Sequence, residues 1–289
     1  MSKPTARIGI IGGSGLYHMN DMKVIDQVNP NTPFGRPSDN ITIGELSGVR
    51  VAFLPRHAQG HRILPTEIPV RANIYALKAL GVEWIISVSA VGSLQENVHP
   101  LDLVVPDQLI DRTSKRPSTF FGEGIVGHVG FGNPFCGVLN QKLVAAAHQT
   151  QATVHQGGTC IVMEGPAFST KAESQLYRTW GATIIGMTAL PEAKLAREAE
   201  ICYSMLACAT DYDVWHESEE DVTVDMIIAN VQKNVFISQQ VLRNLVPELL
   251  FQRECECSHA LSSSVVTDPE FISNETRQRL DAIIGKHFN

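Results

Sequence analysis

The chain has 289 residues, of which 44% are hydrophobic and 18% charged, a balance that supplies a large apolar core and excludes a disordered polymer. Its formal net charge is -7 at pH 7, with no run rich in Lys and Arg. This argues against a nucleic-acid binder, whose affinity comes from neutralising phosphates along an extended basic surface, but leaves room for one small anion at a local site.

The amino terminus, Met1-Ser2-Lys3-Pro4-Thr5-Ala6, has no apolar signal core, and no apolar run approaches the roughly 20 residues that cross a bilayer. A cytoplasmic protein with no membrane partner is expected. Strands are predicted at Arg7 to Ile11, Val49 to Leu54, Trp84 to Val88, Leu103 to Val105, Cys160 to Met163, Thr183 to Ile185 and Cys202 to Ala209. Between them the spacing predicts helices at about Val70 to Leu80, Leu139 to Gln149, Lys171 to Trp180, Pro191 to Glu200 and Val224 to Leu245, with Gly81 and Gly181 as stops. Alternating strands and helices, with strands such as Trp84-Ile85-Ile86-Ser87-Val88 apolar on both faces, indicate an α/β sheet covered on both sides. Residues 1–250 are expected to form one domain. Residues 251–289, polar at first and then opening a weak helix at Asp268-Pro269-Glu270, are expected to pack on it as a tail. The six cysteines, at 136, 160, 202, 208, 255 and 257, lack the CxxC pairs of a zinc site and read as reduced core thiols. Cys255-Glu256-Cys257 is the exception, open to an incidental, redox or stabilising reading.

In open α/β sheets ligands gather at the carboxyl ends of strands, so the residues after each apolar run are the informative ones. Gly9-Ile10-Ile11-Gly12-Gly13-Ser14-Gly15 is a strand running into a glycine-rich turn whose N–H groups and Ser14 hydroxyl suit a ligand oxygen. It lacks the G-x-G-x-x-G of a dinucleotide site and the Gly-Lys of a P-loop; alone it is equally a turn without a ligand. Arg56 and His57, followed by His61 and Arg62, concentrate donors suited to phosphate in a chain of low charge. Ser87 to Leu94 turns an apolar strand into small residues that leave room for a ligand or for tight packing. After the strand ending at Met163 come Glu164, Phe168 with an aromatic face for a base, and Ser169 and Thr170, either of which would cap a helix. Thr188 supplies another hydroxyl. Asp211 and Asp213 end the long apolar strand from Cys202, where paired carboxylates point to a site rather than to a solvated surface.

Taken in order, these segments resemble the methylthioadenosine phosphorylase family of purine-nucleoside phosphorylases from Arg7 to about Leu245. The resemblance rests on Gly-Gly-Ser-Gly-Leu at 12–16, Pro-Arg-His at 55–57, Val-Gly-Ser-Leu at 91–94, Pro-Asp-Gln-Leu-Ile-Asp-Arg-Thr at 106–113, Glu-Gly-Pro at 164–166, Phe-Ser at 168–169, Ala-Glu-Ser at 172–174 and Ala-Thr-Asp-Tyr-Asp at 209–213. It implies an α/β phosphorylase fold with a central mixed sheet flanked by helices, a homotrimer, no metal or organic cofactor, and inorganic phosphate as co-substrate. It places phosphate at Ser14, Arg56, His57, Ser89, Ala90 and Thr188, and base and ribose at Phe168 and Met187. Asp211 and Asp213 read the purine, Asp211 also being the catalytic acid. Specificity falls to Ser169, Val222 and Val224, the valines lining a methylthio pocket, and His128 is implied as a contact lent by a neighbouring subunit. Ala167 departs from the pattern: the family usually carries Arg there, which removes a cation near Glu164. The implied reaction is phosphorolysis of methylthioadenosine, with phosphorolysis of methylthioinosine or 6-oxopurine nucleosides as the alternative.

Overall fold

The protein is described from a computed structural model covering residues 5–13, 16, 22–216 and 224–288, with only the backbone of 224–229. Among these residues eleven strands form one branched, mixed sheet. Strand β1 (Ile8–Gly12) lies parallel between β4 (Val49–Pro55) and β5 (Trp84–Ser93), and β11 (Cys202–Asp211) runs parallel to β5 on its other side. Every residue of β1 and β11 is buried, because successive side chains point to opposite faces and both faces are covered. In β11, Tyr203, Met205, Ala207 and Ala209 enter one core, whereas Cys202, Leu206 and Cys208 enter the other.

The first core is closed by α1 (Val70–Ala79) and α4 (Ala189–Glu198), through Ile74, Leu77, Ala193 and Leu195. The second is closed by α2 (Gly137–Ala147) and α5 (Val224–Leu245), through Leu139, Leu143, Val241 and Leu245. After residue 250 the chain packs back on the first core through Leu261, Ile272, Leu280 and Ile283. The weak helix predicted there is broken into a 3-10 turn (Pro269–Phe271), α6 (Asn274–Arg279) and α7 (Asp281–Ile284). The predicted helices and strands are all present, with ends shifted by a few residues, and β5 runs five residues further than Val88.

Four strands were absent from the sequence reading: β2 (Lys23–Val28), β3 (Ile41–Leu46), β7 (Gln108–Arg112) and β8 (Val154–Gln156). β2 is exposed over nearly its whole length, so it is specified by backbone pairing to β3 rather than by an apolar pattern. β8 has only three residues and is held beside β6 (Leu103–Val105).

The sheet divides along β5. Its first half is flanked by β1, whose last residue paired with β5 is Ile11, opposite Ser87; its second half is flanked on that same side by antiparallel β10 (Ile184–Gly186). β10 leads on to β9 (Thr159–Met163) and β7. The ends of β1 and β10 therefore approach each other over Val88, Ser89 and Ala90. A strand that changes neighbours in this way opens a crevice, as at the switch points of doubly wound sheets.

Candidate active site

One side of this crevice is built by the turn after β4. The Arg56 N–H donates to Gly12 O at 2.9 Å, tying that turn to the end of β1. The Arg56 side chain is 1% exposed and meets Glu192 of α4 in a buried ion pair, Nε to Oε1 at 2.5 Å. Its Nη2 donates to Ser87 Oγ at 2.6 Å and Glu192 Oε2 at 3.2 Å, and Nη1 donates to Val88 O at 3.2 Å. Ser87 Oγ and Tyr203 OH also donate to Glu192 Oε2, at 3.1 and 2.9 Å. Glu192 is thus the hub of a buried network that the sequence reading missed. Its only signal was an acidic residue at the start of an apolar helix, in Leu190-Pro191-Glu192-Ala193. The network fixes the guanidinium plane and offsets its charge, holding Arg56 in one orientation beside the sheet division.

His57 follows, with Nδ1 2.8 Å from Ile63 O and its ring stacked on His61 at 4.3 Å. Only a protonated Nδ1 satisfies a carbonyl at that distance, which leaves Nε2 as an acceptor. Burial pushes the His57 pKa down to about 4, against the Ile63 hydrogen bond and with Arg56 adding to the shift. The ring is neutral near pH 7, not the charged donor that the Arg-His cluster suggested. Across the crevice, Ser89 Oγ and Thr188 Oγ1 are 3.1 Å apart, and Ala90 is exposed beside them. Arg56, His57, Ser89, Ala90 and Thr188 are therefore gathered around the sheet division; Ser14 lies outside the described residues.

The second end of the crevice belongs to β11. A register shift between Ala209 and Asp211 re-aims the strand end, and Asn230 and Asn234 of α5 grip it by donating to Thr210 O and Ala209 O at 2.7 and 3.1 Å. Asp211 Oδ2 accepts from Thr210 Oγ1 at 2.6 Å and Oδ1 from the Asp213 N–H at 2.8 Å. Asp213 sits at φ 53°, and its buried Oδ2 has no hydrogen-bond partner among the described residues. Burial raises the pKa of both carboxyls, and the charge of Asp213 raises that of Asp211 further. A buried carboxylate oxygen without a partner is costly unless a ligand satisfies it.

Between these ends, Met187 follows β10, and a Cβ placed on Gly165, at φ 68°, would lie 2.6 Å from Met187 Sδ. Gly165 is therefore required by both backbone and contact. Arg116, unforeseen in the sequence, locks this region: its Nη1 donates to Met187 O at 2.5 Å and Leu190 O at 2.8 Å, and its Nε pairs with Glu164 Oε1 at 3.0 Å. The cation beside Glu164 is thus Arg116, and Ala167 is an exposed position. Burial works against ionisation of Glu164, but the Ser114 N–H and Arg116 hold its pKa below the ordinary value. Thr170, not Ser169, caps α3 (Lys171–Thr179) in a reciprocal box with Glu173. Ser169 is buried with Oγ 3.8 Å from Met163 Sδ, while Phe168 is 46% exposed. Val222 is outside the described residues and Val224 is the first residue of α5, its side chain not described. His128 is exposed, its N–H donating to Ser264 O at 2.8 Å. No described helix is long and apolar enough to cross a membrane.

Comparison with known proteins follows the same lines. A sequence profile of the phosphorylase superfamily matches residues 7–247. An S-methyl-5'-thioadenosine phosphorylase of Geobacter sulfurreducens is 56% identical over 281 residues, covering 97% of this chain and 98% of its own. A methylthioadenosine phosphorylase from an antarctic soil metagenomic library superposes with a TM-score of 0.93 at 50% identity, over 97% of this chain and 99% of that one. The Schistosoma mansoni methylthioadenosine phosphorylase in complex with adenine gives a TM-score of 0.84 at 36% identity, over 89% and 96% of the two chains. By profile, sequence and structure, this chain belongs to the phosphorylase superfamily.

Proposed function

We propose that the protein is a phosphorylase that converts S-methyl-5'-thioadenosine and inorganic phosphate to adenine and 5-methylthioribose 1-phosphate. The observation that carries this reading is the pairing, across one crevice, of a donor cluster with two buried carboxyls, Asp211 and Asp213. Relatives of that name at high identity over nearly the full chain support it.

Phosphate sits between Arg56, Ser89, the N–H of Ala90 and Thr188; Ser14, outside the described residues, is a further candidate for it. Neutral His57 presents Nε2 as an acceptor, so it engages a phosphate O–H rather than a bare phosphate oxygen. One phosphate oxygen attacks the anomeric carbon while the bond to purine N9 breaks and its electron pair moves into the base. Asp211, its pKa raised by burial and by the charge of Asp213, is the donor to N7 of the departing purine. The Asp213 oxygen without a partner accepts from the 6-amino group, a role that disfavours a 6-oxo purine. Phe168 and Met187 wall the base and ribose, Ser169 and the valines at 222 and 224 set specificity at the base and the 5' end, and a homotrimer brings His128 to a neighbour's site. The cytoplasm supplies both substrates.

The test is to incubate the protein with a panel of 6-amino and 6-oxo nucleosides, with and without phosphate, and measure free base. Adenine release from methylthioadenosine that stops without phosphate is the expected result. Release at full rate without phosphate makes the enzyme a hydrolase, and a preference for methylthioinosine or inosine reassigns the substrate.

A further inference from the structure

Four of the six cysteines, distant in sequence, meet at the opposite end of the sheet from the crevice. Cys136 precedes α2, Cys202 opens β11, and Cys255 and Cys257 flank the start of a 3-10 turn (Glu256–His259) in the carboxyl-terminal segment. Their Sγ atoms all lie within 4.8 Å of one another, with Cys202 and Cys255 at 3.2 Å. Cys160 and Cys208 stand elsewhere in the core.

From this geometry we infer that Cys136, Cys202, Cys255 and Cys257 form a structural tetrathiolate site for a zinc ion. A tetrahedral Zn²⁺ with Zn–S bonds of about 2.3 Å requires sulfurs about 3.8 Å apart. The cluster reaches this by opening its closest pair by roughly half an ångström. Four mutually adjacent sulfurs supply the complete donor set of one tetrahedral ion. No CxxC pair announces the site in the sequence, because two of the ligands are contributed singly by the sheet and by the helix start.

The surroundings favour thiolate. Cys136 occupies the N-cap of an eleven-residue helix, where the helix dipole stabilises negative charge. Arg253 Nη1 lies 3.9 Å from Cys202 Sγ while donating to Glu200 O at 2.7 Å, a fixed cation beside a site whose net charge with zinc is negative. Binding is balanced as four thiols plus Zn²⁺ giving a zinc tetrathiolate and four released protons. The ion staples the segment after residue 250 to the sheet and to α2, with no part in the chemistry: β11 separates it from Asp211 by about 30 Å, ten residues at roughly 3.3 Å each.

The test uses the full chain purified under reducing conditions without chelator. Elemental analysis is expected to find one zinc per chain. The metal-free chain titrated with Co²⁺ is expected to develop the visible bands of tetrahedral cobalt thiolate. The double variant Cys255→Ser/Cys257→Ser is expected to lose the metal and the spectrum, whereas Cys160→Ala retains both. Reduced wild-type protein that takes up neither zinc nor cobalt overturns the site. So does the presence of two disulfides within the cluster in protein kept reduced, seen as a loss of four hydrogens in intact mass. The wild-type cobalt titration decides the matter even if the double variant does not fold.

Discussion

Replacing Arg116 with Ala is the most informative single perturbation of the crevice. The side chain is 3% exposed, and truncation removes the ion pair to Glu164 together with donors to the carbonyls of Met163, Glu164, Met187 and Leu190. Removing one partner of a buried pair costs about 3–5 kcal/mol, and each buried carbonyl left without a donor about 1–3 kcal/mol. Glu164 retains 22% exposure and the Ser114 N–H, and carbonyls have a second lone pair that water reaches, so the total should sit near the lower end, about 3 kcal/mol. Urea unfolding at fixed protein concentration measures it. Because the lost donors hold the Met187 carbonyl next to Thr188, the KM values for nucleoside and phosphate should both rise. A stability loss below about 1 kcal/mol with unchanged KM values would refute the view that Arg116 organises the site.

Asp211→Asn should lower turnover of methylthioadenosine by about 10²–10⁴-fold, the usual worth of general acid catalysis. Because Asp211 shares the reading of the purine with Asp213 and an amide donates where a carboxylate accepts, the substitution should also improve methylthioinosine relative to methylthioadenosine. An unchanged preference among purines removes Asp211 from that role. Glu198 is buried, its carboxylate accepting from the Phe120 N–H and the Thr119 hydroxyl, and burial pushes it up to about 7. A carboxyl raised on folding costs nothing below its ordinary pKa, then drains stability as pH rises from about 4.5 to about 7, by up to about 3 kcal/mol in all. Glu198→Gln should flatten the pH dependence of the unfolding midpoint across that window; a slope identical to wild type assigns the dependence elsewhere.

The strands and helices of the two-faced core were legible because their burial is uniform, as in β11, or follows the helical repeat, as in α2. β2 was not, since an exposed edge strand is chosen by its partner's backbone. At the site, residues that follow strands announced themselves by position: Arg56, His57, Ser89, Asp211 and Asp213. The residues that hold them did not. Glu192 and Arg116 sit within a helix and a long loop, and their importance comes from which carbonyls and side chains the fold brings to them. The charge state of His57 was likewise invisible, because it depends on the Ile63 carbonyl and on burial. The cysteine cluster was hidden for the same reason, being assembled by tertiary structure alone.

The division of the sheet along β5 also bears on how the chain acquires its native state. β5 pairs with β1 from the first residues of the chain, with β10 from beyond its middle and with β11 later still, Trp84 meeting both Ile8 and Cys202. Such pairings close long loops before they gain contacts, which slows folding. The crevice requires all of these strands at once. A nascent chain that has emerged only as far as α4 therefore exposes β5 along one edge, and it holds its donor cluster without the carboxyls that complete it.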